Sequence, residues 1–324
     1  VPRSELDALL LDAALRAGVH FLPSARAFDL VTAEDGRALG VRVRLGDGSA
    51  RELRARLVVG ADGLRSVVAR RLGGVLRGNR ARLAIVGRFE GTRVEGRLGV
   101  MHVSGEGCLG MAPLGGGRCN ITVVVPMAAA GRVSTDRWGF YRERLRRYSV
   151  WEKVSDGKLS ERLQITGPFE VAPRRVVGPG ALLVGDAAGY FDPFTGQGIY
   201  RALYTARLAA PAVLGALERP AEESAWLARY EEQLRRLLRP GRWAQRLVDA
   251  VVSRPPLLDA TARLMASYPG LADLLVDVTG DRLPPAALLD PRRLWRASRD
   301  RATGSATAPL GAGTLGNAFG GRRG

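Results

Sequence analysis

Apolar residues recur at Leu6, Leu9, Leu10, Ala13 and Ala14, the spacing of one helix face. Ser4 as N-cap, acids in the first turn and Gly18 just beyond the periodic stretch predict a helix over 4–17. Short strand-like stretches follow at 19–22, 27–32, 38–45 and 51–59. They are broken by Asp35-Gly36 and Asp47-Gly48, dipeptides that turn hairpins. Leu57-Val58-Val59 is apolar without alternation, as in a strand covered on both faces.

Strand patterns continue at 82–90, 94–103, 107–114 and 118–125, separated by glycine-rich turns such as Gly115-Gly116-Gly117, and predict a separate antiparallel sheet. A helix is expected over 135–148, with arginines on one face and Trp138, Tyr141 and Leu145 on the other. Strands near 163–171 and at Ala181–Val184 precede a mostly helical remainder. Within it, Ile199, Ala202, Leu203, Ala206, Ala209, Ala210 and Val213 mark one long helix that Pro211 should end or kink. Trp226, Leu227, Tyr230, Leu234 and Leu237 give a second helix, over 222–238, a core-facing stripe. The end of the chain, 301–324, is Gly, Ala, Thr and Arg with few large apolar groups and is expected to be a disordered tail.

Composition narrows the class. The chain has 324 residues, 46% hydrophobic and 25% charged, enough for about two domains and too apolar for a disordered protein. No apolar run reaches the roughly 20 residues that span a bilayer, and no secretory signal opens the chain. Cys108 and Cys119 form no Cys-x-x-Cys, and His20 and His102 lie far apart, so the expected reading is two half-buried thiols in a reducing cytoplasm rather than a zinc or disulfide framework. Lys+Arg is 49 against Asp+Glu 32, a net charge of +17, and all but Lys153 and Lys158 of the 49 are arginine. The arginines spread from Arg3 to Arg323 with only local clusters, which fits a coding bias better than a nucleic-acid interface. An acidic carrier protein or a diphosphate-bearing lipid is the functional alternative for this charge.

Two segments carry candidate chemistry. In the first, Leu57-Val58-Val59-Gly60-Ala61-Asp62-Gly63-Leu64-Arg65-Ser66, a buried strand ends in a tight turn and passes into a helix, which puts Asp62 at a strand's carboxyl end. In the second, Ala181-Leu182-Leu183-Val184-Gly185-Asp186 delivers another carboxylate to a strand end, and a loop through Asp192-Pro193, Gly196 and Gly198 leads into the long helix. The free N–H groups of that helix start favour negative charge.

Together these segments resemble the FAD-dependent monooxygenase and geranylgeranyl reductase superfamily, whose fold is that of para-hydroxybenzoate hydroxylase. The resemblance covers residues 1 to about 215, with Val1-Pro2-Arg3-Ser4-Glu5-Leu6-Asp7 similar to the family's arginine segment. It implies an α/β (α+β) fold: an incomplete FAD-binding Rossmann-like domain, 1–75 with 176–216, and an inserted antiparallel-sheet substrate domain, 76–175. A helical region, 217–300, would follow. It implies FAD as cofactor, with NAD(P)H or another donor reducing it. The implied cofactor-binding residues are Arg3 toward phosphate or adenosine, Asp62 and Gly63 toward the pyrophosphate region, and Gly185 and Asp186 toward the ribityl chain. Pro193 would lie beside the isoalloxazine ring, with Gly196 and Gly198 at its N1/C2 edge. No acid or base is named, because flavin and a shaped pocket carry catalysis in this superfamily.

The implied reaction is hydroxylation or reduction of a small organic substrate, carrier-bound or lipid-like, in the cytoplasm or peripheral to a membrane. Reduction of prenyl C=C bonds is an alternative, and a non-catalytic basic interaction protein on a degraded flavoenzyme fold is another. Cys108-Leu109-Gly110-Met111-Ala112-Pro113-Leu114 lacks the aromatic segment of geranylgeranyl reductases, and the halogenase Trp-x-Trp signature is absent. No Gly-x-Gly-x-x-Gly turn precedes Arg3, where the family places it. The expectation is therefore a fragment of a longer reading frame with Val1 at the cut.

Overall fold

The computed structural model describes residues 3–299 except 79–80, 95, 97, 191–195, 253 and 281, with the backbone alone at 239–249 and 285. The expected tail, 301–324, lies outside the described residues.

The first helix, α1 (Arg3–Arg16), forms as its pattern predicts but already includes Ser4, which is therefore no N-cap. None of its residues is buried, and Leu9, Leu10 and Leu15 face solvent. An apolar stripe buries itself only where another element covers it, and among the described residues none covers this one. Residues 19–22 form no strand. Next comes an antiparallel meander of β1 (Arg26–Thr32), β2 (Ala38–Arg44) and β3 (Ala50–Arg54), turned at Gly36 and Gly48, both in the left-handed region that Asp-Gly turns require. The expected strand 51–59 divides. β3 pairs with β2, whereas β4 (Val58–Gly60) leaves for another sheet.

After β4 a short 3-10 turn, Gly63–Arg65, leads into α2 (Val67–Arg71), and β5 (Val75–Arg77) follows. The large sheet contains β6 (Arg82–Glu90), β7 (Val100–Ser104), β8 (Gly107–Gly115) and β9 (Arg118–Pro126), a β7 shorter than the expected 94–103. Three helices come next, α3 (Ala130–Thr135), α4 (Arg137–Arg147) and α5 (Trp151–Val154), so the helix expected over 135–148 is broken near Asp136, whose Oδ1 accepts from Gly139 N–H and caps α4. Then β10 (Lys158–Leu159) and β11 (Gln164–Thr166) both pair with β6, giving the order β10-β6-β9-β8-β7 with β11 beside β10 on the outer edge.

Alternation gives this sheet two unlike faces. One buries Leu83, Ile85, Phe89, Leu109, Met111, Ile121, Val123 and Val125 against Phe140, Tyr141 and Leu145 of α4. The basic face of α4 is not wholly solvated: Arg144 is buried and pairs with Glu106 at 2.6 Å. On the other face Ala84, Cys108 and Val124 meet Phe169, Leu64 and Tyr190, while Val86, Gly110, Ala112, Leu114 and Thr122 stay half-buried or exposed. Cys108 and Cys119 are fully buried rather than half-buried, and burial pushes the Cys119 thiol up to about 11.

The remaining strands close the first unit. β12 (Val171–Pro173) pairs with β5, and β13 (Val177–Gly178) pairs with β14 (Ala181–Leu183). β14 lies parallel to β4, with Leu182 opposite Val59. Gly60 is required here, since a Cβ would stand 2.7 Å from Leu183 Cδ2 and 2.8 Å from Val68 Cβ.

The helical remainder is α6 (Gly198–Glu218), α7 (Glu223–Val252), α8 (Pro255–Ser267), α9 (Pro269–Thr279) and α10 (Pro291–Ala297). Pro211 does not end α6, because both it and Arg207, whose carbonyl its ring leaves unbonded, face water. From α7, Leu227, Tyr230, Leu234 and Leu238 enter the same core as β4 and β14, with Tyr230 OH donating to Leu183 O at 2.5 Å. No described helix is long and apolar enough to cross a membrane.

Candidate functional site

Parallel strands send their following loops out of the same sheet edge. The two singled-out segments therefore meet: Val184 N–H donates to Gly60 O at 2.9 Å, and the 3-10 turns Gly63–Arg65 and Gly185–Ala188 lie side by side. Gly63 and Gly185, at φ +72° and +58°, make these sharp exits from strand to turn.

Asp62 faces its own turn, its Oδ2 accepting from Val67 N–H at 2.6 Å. Asp186 differs. Its carboxylate is half-buried and accepts no hydrogen bond among the described residues. Burial raises its pKa above the ordinary carboxylate value, and the charges of Arg3 and Arg201 offset this only in part. Arg3 thus acts across space on Asp186 while its Nε donates to Asp7 at 2.8 Å.

The helix start completes the site. Gly196 takes φ +68° with open space where a side chain would be, and Gly198 opens α6, whose first N–H groups have no side-chain cap. The structure thus gathers Arg3, Asp62, Gly63, Gly185, Asp186, Gly196 and Gly198 around the ends of β4 and β14. Pro193 lies outside the described residues.

Sequence reasoning does not single out the residues that brace this site. Thr205, buried on α6, accepts from Gly185 N–H at 2.8 Å and donates to Arg201 O at 2.8 Å. A lone threonine on an otherwise apolar helix face is the available signal. Gln197 donates through Nε2 to Thr279 O at 2.8 Å and accepts from Arg201, tying the start of α6 to the end of α9. Thr205→Val keeps the shape and strands the Gly185 N–H. It is expected to cost about 1–2 kcal/mol in a urea titration, and an unchanged midpoint would remove Thr205 from the site.

A cavity of about 490 Å³ opens beside Arg3 and Ser4, bounded by Ala112, Leu114, Arg118 and Asn120 on the sheet's less covered face. The pattern Gly105-x-Gly107-x-x-Gly110 also occurs on this sheet. It turns the antiparallel pair β7–β8 with no helix behind it, so it is not a dinucleotide turn. Gly311-x-Gly313-x-x-Gly316 lies outside the described residues.

Residues 1–240 match the FAD binding domain family. The chain belongs to that family. This FAD-binding chain is 29% identical over 251 residues to digeranylgeranylglycerophospholipid reductase 1 of Methanopyrus kandleri, covering 71% of this chain and 62% of that one. It is 28% identical over 312 residues to a menaquinone reductase of Mycolicibacterium smegmatis, covering 92% and 73%. It spans between about half and about three fifths of the digeranylgeranylglycerophospholipid reductases it matches. Among solved structures, a myxobacterial chondrochloren halogenase, an FAD-dependent enzyme, shares the fold with a TM-score of 0.70 at 22% identity, over 86% of this chain and 69% of that one.

Proposed function

We propose that this FAD-binding chain is part of an oxidoreductase that reduces carbon–carbon double bonds in the isoprenoid chain of a lipid. The observation that carries the reading is the less covered sheet face. Val86, Gly110, Ala112, Leu114, Thr122 and Met101 give its middle a small-residue, uncharged surface suited to a hydrocarbon chain, with Arg88, Arg118 and Asn120 at one end of the same face. A Cβ at Gly110 would meet nothing within 4 Å, so the middle of this surface is open. The relatives named as reductases of a digeranylgeranyl lipid and of menaquinone, both isoprenoid compounds, support the same substrate class.

The residues present fit the flavin half of FAD. A half-buried carboxylate that accepts no hydrogen bond from the described residues suits a ribityl hydroxyl, so Asp186 would accept from it. Gly196 and Gly198 leave the α6 N–H groups accessible, and that positive helix end would stabilise negative charge at the flavin's N1/C2 edge. Gly185 brings the backbone close, Asp62 and Gly63 shape the turn on the pyrophosphate side, and Arg3 would pair with phosphate. When bound, FAD supplies two-electron redox chemistry, with NAD(P)H as the proposed electron source. Residues 1–75 and 176–216 would form the cofactor unit, 76–175 the substrate unit and 217–300 a helical cover. A substrate of this class lies in a bilayer, so the protein would work in the cytoplasm at a membrane surface.

The test is mass spectrometry after incubating the protein, expressed from its complete reading frame and loaded with FAD, with a reductant and a digeranylgeranyl lipid in detergent. A gain of two hydrogen atoms per double bond is expected. A gain of one oxygen atom would mean hydroxylation instead, and an unchanged lipid with a protein that holds no flavin would mean a non-catalytic role.

A further inference from the structure

We propose that the surface formed by Leu289 and α10 docks on an anionic lipid bilayer, seating the site at the membrane that holds its substrate. This rests on the isoprenoid-lipid reading above. Leu289 is 64% exposed, Trp295 60% and Leu294 37%, a local concentration of large apolar side chains facing water. Arg292, Arg293, Arg296 and Arg299 are exposed around them, with Asp290 the one carboxylate among the described residues of this segment. Asp290 caps α10 through Arg292 N–H at 2.9 Å and pairs with Arg293 at 3.4 Å, while Arg299 lies over the Trp295 ring at 4.3 Å. An exposed tryptophan ringed by arginines matches the interfacial layer of a bilayer with acidic headgroups: the ring and leucines enter the apolar boundary, and the guanidinium groups meet phosphate.

The exposed apolar stripe of α1 lacks this chemistry. On α1, Arg3 and Arg16 are paired with Asp7 and Asp12, Glu5 adds a further negative charge, and there is no tryptophan. The α10 surface is also tied to the site. Ala297 packs so closely on Gly270 of α9 that a Cβ there would stand 2.7 Å from its carbonyl oxygen, and the end of α9 accepts from Gln197 at the start of α6. A bilayer under α10 is thereby held in fixed relation to the Asp186 turn.

The test is co-sedimentation of the full chain with vesicles of phosphatidylcholine alone and of phosphatidylcholine with phosphatidylglycerol, neither containing an isoprenoid lipid. Binding to the mixed vesicles alone is expected, weakening as salt is raised. R292Q/R293Q/R296Q should lower the partition constant about a hundredfold, and W295S about tenfold. The melting temperature should not move in either variant, since all four side chains face solvent. Equal sedimentation with both vesicle types, or binding unaffected by these substitutions, overturns the proposal. So does a wild-type dimer in light scattering that W295S dissolves, which would assign the surface to a second copy. The detergent assay above needs no bilayer, so it can fail while docking stands, and docking can fail while it succeeds.

Discussion

Asp186→Asn is expected to weaken FAD binding roughly ten- to a hundredfold while raising the melting temperature of the FAD-free protein. The first effect would be the loss of the proposed charge-assisted hydrogen bond to a ribityl hydroxyl, worth about 1.5–3 kcal/mol. The second follows from linkage. Burial raises the folded-state pKa of Asp186 despite Arg3 and Arg201. A carboxylate raised in the folded state costs stability at neutral pH, and that cost disappears as pH falls through the folded value toward the unfolded one. The stability advantage of the asparagine variant should therefore be largest near neutrality and shrink in acid. Flavin fluorescence titration and melting curves along a pH series read both effects. Unchanged FAD affinity would remove Asp186 from the cofactor site.

Glu223→Ala carries the largest expected stability effect. Glu223, nearly buried at the start of α7, accepts from Arg37 Nη1 at 2.9 Å and Nη2 at 2.5 Å, and from Gly180 N–H at 2.8 Å. Three segments distant in sequence meet on one carboxylate. Removing it leaves a guanidinium and a backbone donor without their acceptor, at a cost of about 3 kcal/mol. Glu223→Gln keeps an acceptor for Gly180 and should lose less. Burial pushes the Glu223 acid up, but the Arg37 hydrogen bond, the Gly180 N–H and the Arg37 charge outweigh it and hold the acid below its ordinary value. The stabilisation is thus complete above the unfolded-state pKa and is lost as pH falls through the folded one. Urea midpoints of wild type and Glu223→Gln should differ at neutral pH and converge in strong acid. A constant gap across that range would show that the charge is not what stabilises this junction.

Residues 82–90 and 118–125 were legible as strands because helices cover one sheet face and leave the other less protected, which writes alternation into the chain. Asp35-Gly36 and Asp47-Gly48 were legible because few residues tolerate those turn angles. What depends on distant partners was not. The break between Arg54 and Val58 exists because β4 pairs with residues 181–183, and nothing local marks it. The apolar stripe of α1 reads like that of any packed helix, since the pattern reports amphipathicity and not the presence of a covering element. At the site, glycines and strand-end carboxylates carry local signals, whereas Thr205 and Glu223 act on backbone groups far away in sequence.

The parallel pairing of β4 with β14 also orders how the chain comes into being. Between these strands the chain runs through the entire antiparallel sheet and its helices, and every strand of that sheet pairs within residues 82–166. A ribosome that has released residues 1–175 has supplied every strand of that sheet and only half of the strand pair beside which the Asp186 turn is built. The remaining parts are β14, the turn itself, the start of α6 and the Tyr230 hydroxyl that holds Leu183, and all of them emerge afterwards. Every strand of the antiparallel sheet is present in the growing polypeptide before the strand pair that carries the Asp186 turn can form.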